Sequence, residues 1–330
     1  VAPAVSLDVH LVADALAKAR LDPDSMKTST MTLVVFLDSA AASWARDRAH
    51  ALAGKHPSRV VVFDATKSQS ERVVEPSLAR GEWIEIGVRE ADAREIDAAV
   101  AVLELPDAPV VLLWLAETFA ADWRFIALAR RAGVAICSSS VIRSDVSSLR
   151  DLIEFVERHP GVVLHDIAYL RLGAWQELIA EFFDEPDCRS ELQALRSVEL
   201  TAGSDAEMYY LLGWLASRLA WTAAQAGAFS TPGGNVTFSM IRDGPPRRLA
   251  KVVLRSDRVT FTASVHPRDE AAICLDVAGA TACASRCAPL HTMDLASLIE
   301  RAILSHSRDE VFIESLTMAK HIIEHNLHDT

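Results

Sequence analysis

The sequence predicts an α/β protein: a Rossmann-like parallel sheet domain followed by an α+β domain with an antiparallel meander sheet. Three observations predict it. Over the first half, short continuous apolar runs alternate with helical stretches, which is the layout of β-α units around a parallel sheet. Beyond Thr231, strand-like runs follow one another directly, separated by turn residues. Hydrophobic residues make up 50% of the 330 and charged residues 24%, a balance that supports sizeable cores rather than disorder.

The elements follow in order. Thr32 to Leu37 is an unbroken apolar run, the mark of a strand buried on both faces. Asp38 and Ser39 can cap a helix over about 40–54. Arg59 to Phe63, Trp83 to Val88, Pro109 to Leu115 and Gly133 to Cys137 read as further strands. Helices are expected over 91–103, 120–132 and 144–158. The character changes near Asp166, so the domains are expected at 1–165 and 166–330. Two long helices over about 169–184 and 205–222 open the second domain. Four strand-like runs come next, Asn235 to Arg242, Arg247 to Arg255, Arg258 to His266 and Ala271 to Val277, with Ser256-Asp257 as a hairpin turn. Two helices, Met293 to Ser305 and Glu310 to Asn326, complete it.

Composition narrows the function. The formal net charge is -12 and no Lys/Arg cluster is present, which disfavours nucleic acid and anionic membranes as partners. No apolar stretch has bilayer length, and Val1 to Arg20 carries Asp8 and Asp14 without the apolar block of a signal peptide. Five cysteines speak against a disulfide framework and for a reducing, cytoplasmic setting. The first strand is followed by Asp38-Ser39-Ala40-Ala41-Ala42-Ser43-Trp44, without the glycines that let a backbone approach a pyrophosphate. No Walker loop or G-x-S-x-G elbow occurs either. No cofactor and no metal are therefore expected.

Three patterns are set aside or held as alternatives. His321-x-x-Glu324-His325 has inverted zinc-peptidase spacing, but histidines near a helix C-terminus are also favoured by the macrodipole, the preferred reading. Cys283-x3-Cys287-x3-His291 could place three metal ligands together, but Pro289 breaks the helix that would align them and no fourth ligand is evident; Cys283 and Cys287 are otherwise candidate redox thiols, against simple packing. Ser138 to Ser140 with Arg59 and Arg143 offers a phosphate-binding alternative, in which a small phosphorylated sugar sits at the C-terminal edge of the sheet.

Arg/Trp stripes form the remaining constellation. Trp214, Arg218 and Trp221 fall at i, i+4, i+7, and Arg171, Trp175, Leu178 and Phe182 make a similar row. Exposed, such faces are hot-spot chemistry and Arg218 can stack on indole; buried, they are core with the Arg paired to an acid such as Asp166. Four segments carry a resemblance: His56-Pro57-Ser58-Arg59, Asp107 to Trp114, Asp166 to Leu178, and Gly213 to Leu219. In this order and spacing they resemble the glucose-6-phosphate dehydrogenase assembly protein family, OpcA. Tyr169 and Gln176 depart from the Trp and Arg usual there, and Leu113 from a Trp. The resemblance implies a cytoplasmic, non-catalytic partner of glucose-6-phosphate dehydrogenase, binding through Arg59, Trp114, Asp166, Arg171, Trp175, Trp214, Arg218 and Trp221. Self-association through the same faces is a further expectation.

Overall fold

The computed structural model describes residues 14, 29–38, 46, 49–50, 52, 55, 57–68, 71–77, 81–116, 122–139, 145–225, 227–246, 248–279, 286–289 and 294–327. In chain order the first elements are β1 (Met31–Leu37), β2 (Ser58–Asp64), β3 (Arg72–Ser77), β4 (Gly81–Gly87), α1 (Ala93–Leu103), β5 (Val110–Trp114), α2 (Trp123–Ala132), β6 (Val134–Cys137), α3 (Asp145–Arg158) and β7 (Val163–Asp166). Then come α4 (Ile167–Leu170), α5 (Gly173–Glu181), α6 (Pro186–Arg189), β8 (Leu195–Gly203), α7 (Asp205–Arg218), β9 (Thr222–Gln225), β10 (Ala228–Thr231) and β11 (Gly234–Pro246). The last are β12 (Leu249–Ser256), β13 (Thr260–His266), β14 (Asp269–Ala278), β15 (Arg286–Pro289), α8 (Leu295–Leu304) and α9 (Glu310–Leu327). Among the described residues, no helix is long and apolar enough to cross a membrane.

Two compact units divide the chain. The first comprises Val1–Arg143, Glu154–Asp166 and Leu295–Arg308. Its sheet has the order β3-β4-β2-β1-β5-β6-β7, with β3 antiparallel to β4 and all other pairings parallel. The continuous apolar runs act as expected: every residue of β1 and β2 is buried. Asp92 caps α1 in a reciprocal box with Glu95. Gly133 ends α2 in the left-handed region at φ 74°. The antiparallel strand β3 was not expected from the sequence.

The expected division assigns all of 166–330 to one domain, but Leu295–Arg308 groups with the first unit. Its contacts explain this: α8 packs on β6, Lys55 Nζ lies 2.8 Å from Glu300, and the His165 ring lies 2.9 Å from the Ser305 carbonyl.

Ser144–Ile153, Ile167–Asp294 and Asp309–Thr330 make up the second unit. Its sheet runs β15-β14-β13-β12-β8-β11-β10-β9. The expected meander holds for β12 to β15, all antiparallel. It is interrupted by β8, which pairs antiparallel with β12 and parallel with β11, so the sheet is mixed. Strand β8 was not singled out from the sequence, although its buried Val198, Leu200 and Ala202 alternate with half-exposed residues.

The expected helix over 205–222 stops at Arg218. Ala220 turns left-handed at φ 52°, and the Trp221 N–H bonds the Ala216 carbonyl at 2.9 Å. Trp221 therefore leaves the face shared by Trp214 and Arg218. Helix α7 packs on α9 through Gly213, where a Cβ would collide with the Ser315 carbonyl. The reading against disulfides is also corrected. Cys274 and Cys287 face each other across β14 and β15 and are bonded, and Cys188 is disulfide-bonded as well. Strand register brings together two cysteines that sequence spacing does not pair. Cys287 thus has Cys274 as its partner, while Cys283 lies outside the described residues.

Replacing Gly213 with Ala is expected to destabilise the protein by about 1–3 kcal/mol by overpacking the α7–α9 contact. Urea denaturation of the variant beside the unmodified protein measures this.

Candidate functional site

In open α/β sheets, ligands bind outside the carboxyl ends of the strands where strand order reverses, here between β1 and β5. Local sequence fills that position with aromatic packing. Trp114, the last residue of β5, is 1% exposed and stacks on Phe36 of β1 with ring centroids 4.1 Å apart. Phe125 of α2 meets the Trp114 ring edge-on at 5.3 Å. The Arg124 guanidinium lies 4.9 Å over the Phe36 ring and grips the Asp122 carboxylate, with Nη2 to Oδ2 at 2.5 Å. That hydrogen bond raises the Arg124 pKa, against the effect of burial, with the charges of Asp122 and Asp38 adding to it.

The end of β2 is equally committed. Dinucleotide-binding folds use an acid after the second strand to hold ribose hydroxyls. Asp64 occupies such a position, fully buried. Its Oδ1 accepts from the Thr66 N–H at 2.9 Å and the Thr66 hydroxyl at 2.5 Å, and its Oδ2 pairs with Arg46. Arg46 and Lys67 also bind Glu85, at 3.2 Å and 2.6 Å. Both carboxylates are neutralised inside the chain.

At the end of β6 and β7, Asp166 is buried and accepts from the Ser139 N–H at 3.1 Å. Burial pushes the Cys137 thiol pKa well above its ordinary value, and the charge of Asp166 adds to the shift. Ser138 and Ser139 are themselves buried. Ser140 and Arg143, the other members of the phosphate-binding alternative, lie outside the described residues.

Of the residues expected to bind a partner, several serve the chain's own interior. Arg59 is 4% exposed and spends its guanidinium on Glu82 at 2.5 Å and the Leu103 carbonyl at 2.6 Å. Trp175 is buried, as is Tyr169, which packs against Tyr210 and Phe312 at 5.6 Å and 4.8 Å. Arg171 pairs with buried Glu207 at 2.8 Å, and Glu207 also accepts from the Leu249 N–H at 2.6 Å. Arg59, Trp114, Asp166, Trp175 and Trp221, all expected to bind a partner, are thus buried within the chain.

Arg218 and Trp221 do come together, by a different route from the expected helix face. They line a groove of about 620 Å³ with Ser217, Thr222, Ile313, Glu314, Thr317 and Met318. Trp221 forms part of the wall and packs on Phe229 at 5.4 Å. Arg218 pairs with Glu314 of α9, which also lines the groove, in place of the expected indole stack. Trp214 is half-buried one turn before Arg218. Sequence reasoning passed over Trp123, which is 77% exposed. The signal was present: Asp122 caps α2, so Phe125, Leu128 and Ala129 form the buried stripe and Trp123 falls outside it.

Comparison with known proteins places this geometry. Residues 49–154 match the family model described as the glucose-6-phosphate dehydrogenase subunit N-terminal domain, and residues 162–316 match the subunit's C-terminal domain. The chain is 34% identical over 135 residues to a protein of Synechocystis sp. named putative OxPP cycle protein OpcA, covering 40% of this chain and 28% of that one. A protein of the same name from Nostoc punctiforme is 33% identical over 142 residues, covering 42% and 30%. The matched segments thus span under a third of these relatives' lengths. Among solved structures, levoglucosan dehydrogenase in complex with NADH and L-sorbose superposes with a TM-score of 0.53 at 12% identity, over 91% of this chain and 98% of that one. A 3-ketoreductase from Actinomadura kijaniata gives 0.53 and 12%, over 89% and 96%. These two likenesses establish the fold alone.

Two outcomes test the assignments of buried residues. Arg59→Ala is expected to cost about 3 kcal/mol of stability by removing the buried guanidinium that bonds Glu82 and the Leu103 carbonyl, measured by chemical denaturation. Cys137 is expected to stay unmodified by a thiol reagent at pH 8 in the folded protein and to react after urea is added, read by peptide mass mapping.

Proposed function

This chain belongs to the OpcA family of glucose-6-phosphate dehydrogenase subunits, and from that premise we propose that it is a non-catalytic partner that assembles or activates the dehydrogenase. Asp64 carries the reading. It stands where a dinucleotide fold needs an acid open to ribose, but it is fully buried and held by Arg46 and Thr66. Phe36, Trp114 and Arg124 fill the neighbouring strand ends, and the first strand is followed by no glycine loop. A Rossmann-like sheet so occupied acts as a scaffold. Its effect on the dehydrogenase is linkage: a protein that binds one conformational or assembly state more tightly shifts the population toward it.

A kinetic titration tests this. Adding the protein to the dehydrogenase of the same organism is expected to lower the apparent KM for glucose-6-phosphate about fivefold or more, saturating at a fixed molar ratio. An unchanged KM and rate, with no co-elution on a sizing column, would overturn the proposal. Incubation of the protein alone with NADP and glucose-6-phosphate is expected to give no reduction of NADP.

A further inference from the structure

The sheet of the second unit has one buried face and one open face. Residues paired across strands point to the same side, so the register sorts them. Val198 and Leu200 of β8, Val252 and Leu254 of β12, and Phe261 and Ala263 of β13 are buried on one side. On the other side, across the seam between β8 and β12, Ser197 pairs with Arg255, Glu199 with Val253 and Thr201 with Lys251. Outside the seam, Ile241 of β11 flanks Thr201, and Ser264 of β13 flanks Lys251. All of these open-face residues except Val253 are exposed or half-exposed. Glu199 lies 3.4 Å from Arg255 and 3.9 Å from Lys251.

This pattern is complementary to itself. A two-fold axis parallel to the strands and above the seam exchanges β8 with β12 and β11 with β13, and it keeps every position along the strands. Glu199 then falls over Val253, between Lys251 and Arg255 of the other copy. Arg255 falls over Ser197, Lys251 over Thr201 and Ile241 over Ser264, so each of these long side chains meets a short one. We propose that this face joins two copies of the chain, sheet on sheet, in an isologous dimer. The charges argue for a second copy. The chain's net charge of -12 opposes most contacts between copies, but here each Glu199 carboxylate meets two cations. The long strands β11, β8, β12, β13 and β14 span roughly 700 Å² at about 4.8 Å between strands and about 3.3 Å per residue, near the about 800 Å² that a stable interface buries on each side.

Sedimentation of the full chain tests this. The unmodified protein is expected to run as a dimer at about 50 µM. Glu199→Arg, and separately the double variant Lys251→Glu with Arg255→Glu, set like charges across the axis. Each is expected to weaken the dimer about tenfold or more. Mixing the two variants restores opposite charges on both sides of the axis, so the mixture is expected to regain the dimer. Ser264→Arg sets a second long side chain against Ile241 and is expected to weaken the dimer as well; should a charge variant not fold, this variant decides. An unmodified chain that sediments as a monomer overturns the proposal, and so does a dimer that every variant leaves intact. A monomer whose residues 197–201 gain exchange protection only when the dehydrogenase is added would make the dehydrogenase the occupant and overturn it too. The kinetic titration with the dehydrogenase reads the partner proposal separately from all of these outcomes.

Discussion

A carboxylate cut off from water must find its counter-charges within the fold, and the first unit is arranged around that demand at Asp64. Arg46 reaches it from helical backbone, Thr66 closes back on it from the following turn, and Lys67 and Arg46 extend the network to Glu85 on β4. The strands that meet here have apolar interiors, so the charges gather at their carboxyl ends. A buried ion network of this kind is costly to break, because removing one partner leaves the others uncompensated. It also occupies the position where a related fold would address a ligand.

The second unit repeats the device with Glu207. One carboxylate, 2% exposed, takes the Arg171 guanidinium and the Leu249 N–H. It thereby ties α7 to the turn before α5 and to the start of β12. In the same unit Tyr169, Tyr210 and Phe312 make a continuous aromatic contact, and burial raises the Tyr169 pKa. Arg59, Trp114, Trp175 and Trp221, which resemble an interface pattern in the sequence, are buried in the chain, and Arg171 is held by Glu207.

Legibility followed the physics of each element. Runs such as Thr32 to Leu37 and Arg59 to Phe63 were readable because a doubly buried strand has to be apolar throughout. Caps at Asp92 and Asp122 mark helix starts that composition alone leaves loose. Strand β8 was missed because its buried Val198, Leu200 and Ala202 alternate with polar Ser197, Glu199 and Thr201. Arg218 and Trp221 were expected on one helix face, but the helix ends at Arg218 and Ala220 turns left-handed, so they meet only as neighbours in a groove. Their meeting depends on α9, which supplies Glu314, Thr317 and Met318 nearly a hundred positions later.

The sequence by itself determined the α/β class, the missing glycine loop and the family motifs, since each is written in local residue order and burial periodicity. Only the tertiary structure decided which Arg and Trp side chains are surface and which are core, that β8 divides the meander, and that Cys287 meets Cys274. Those outcomes depend on register and on packing between segments remote in the chain. A side chain's exposure is set by what folds over it, and its neighbours in sequence do not contain that information.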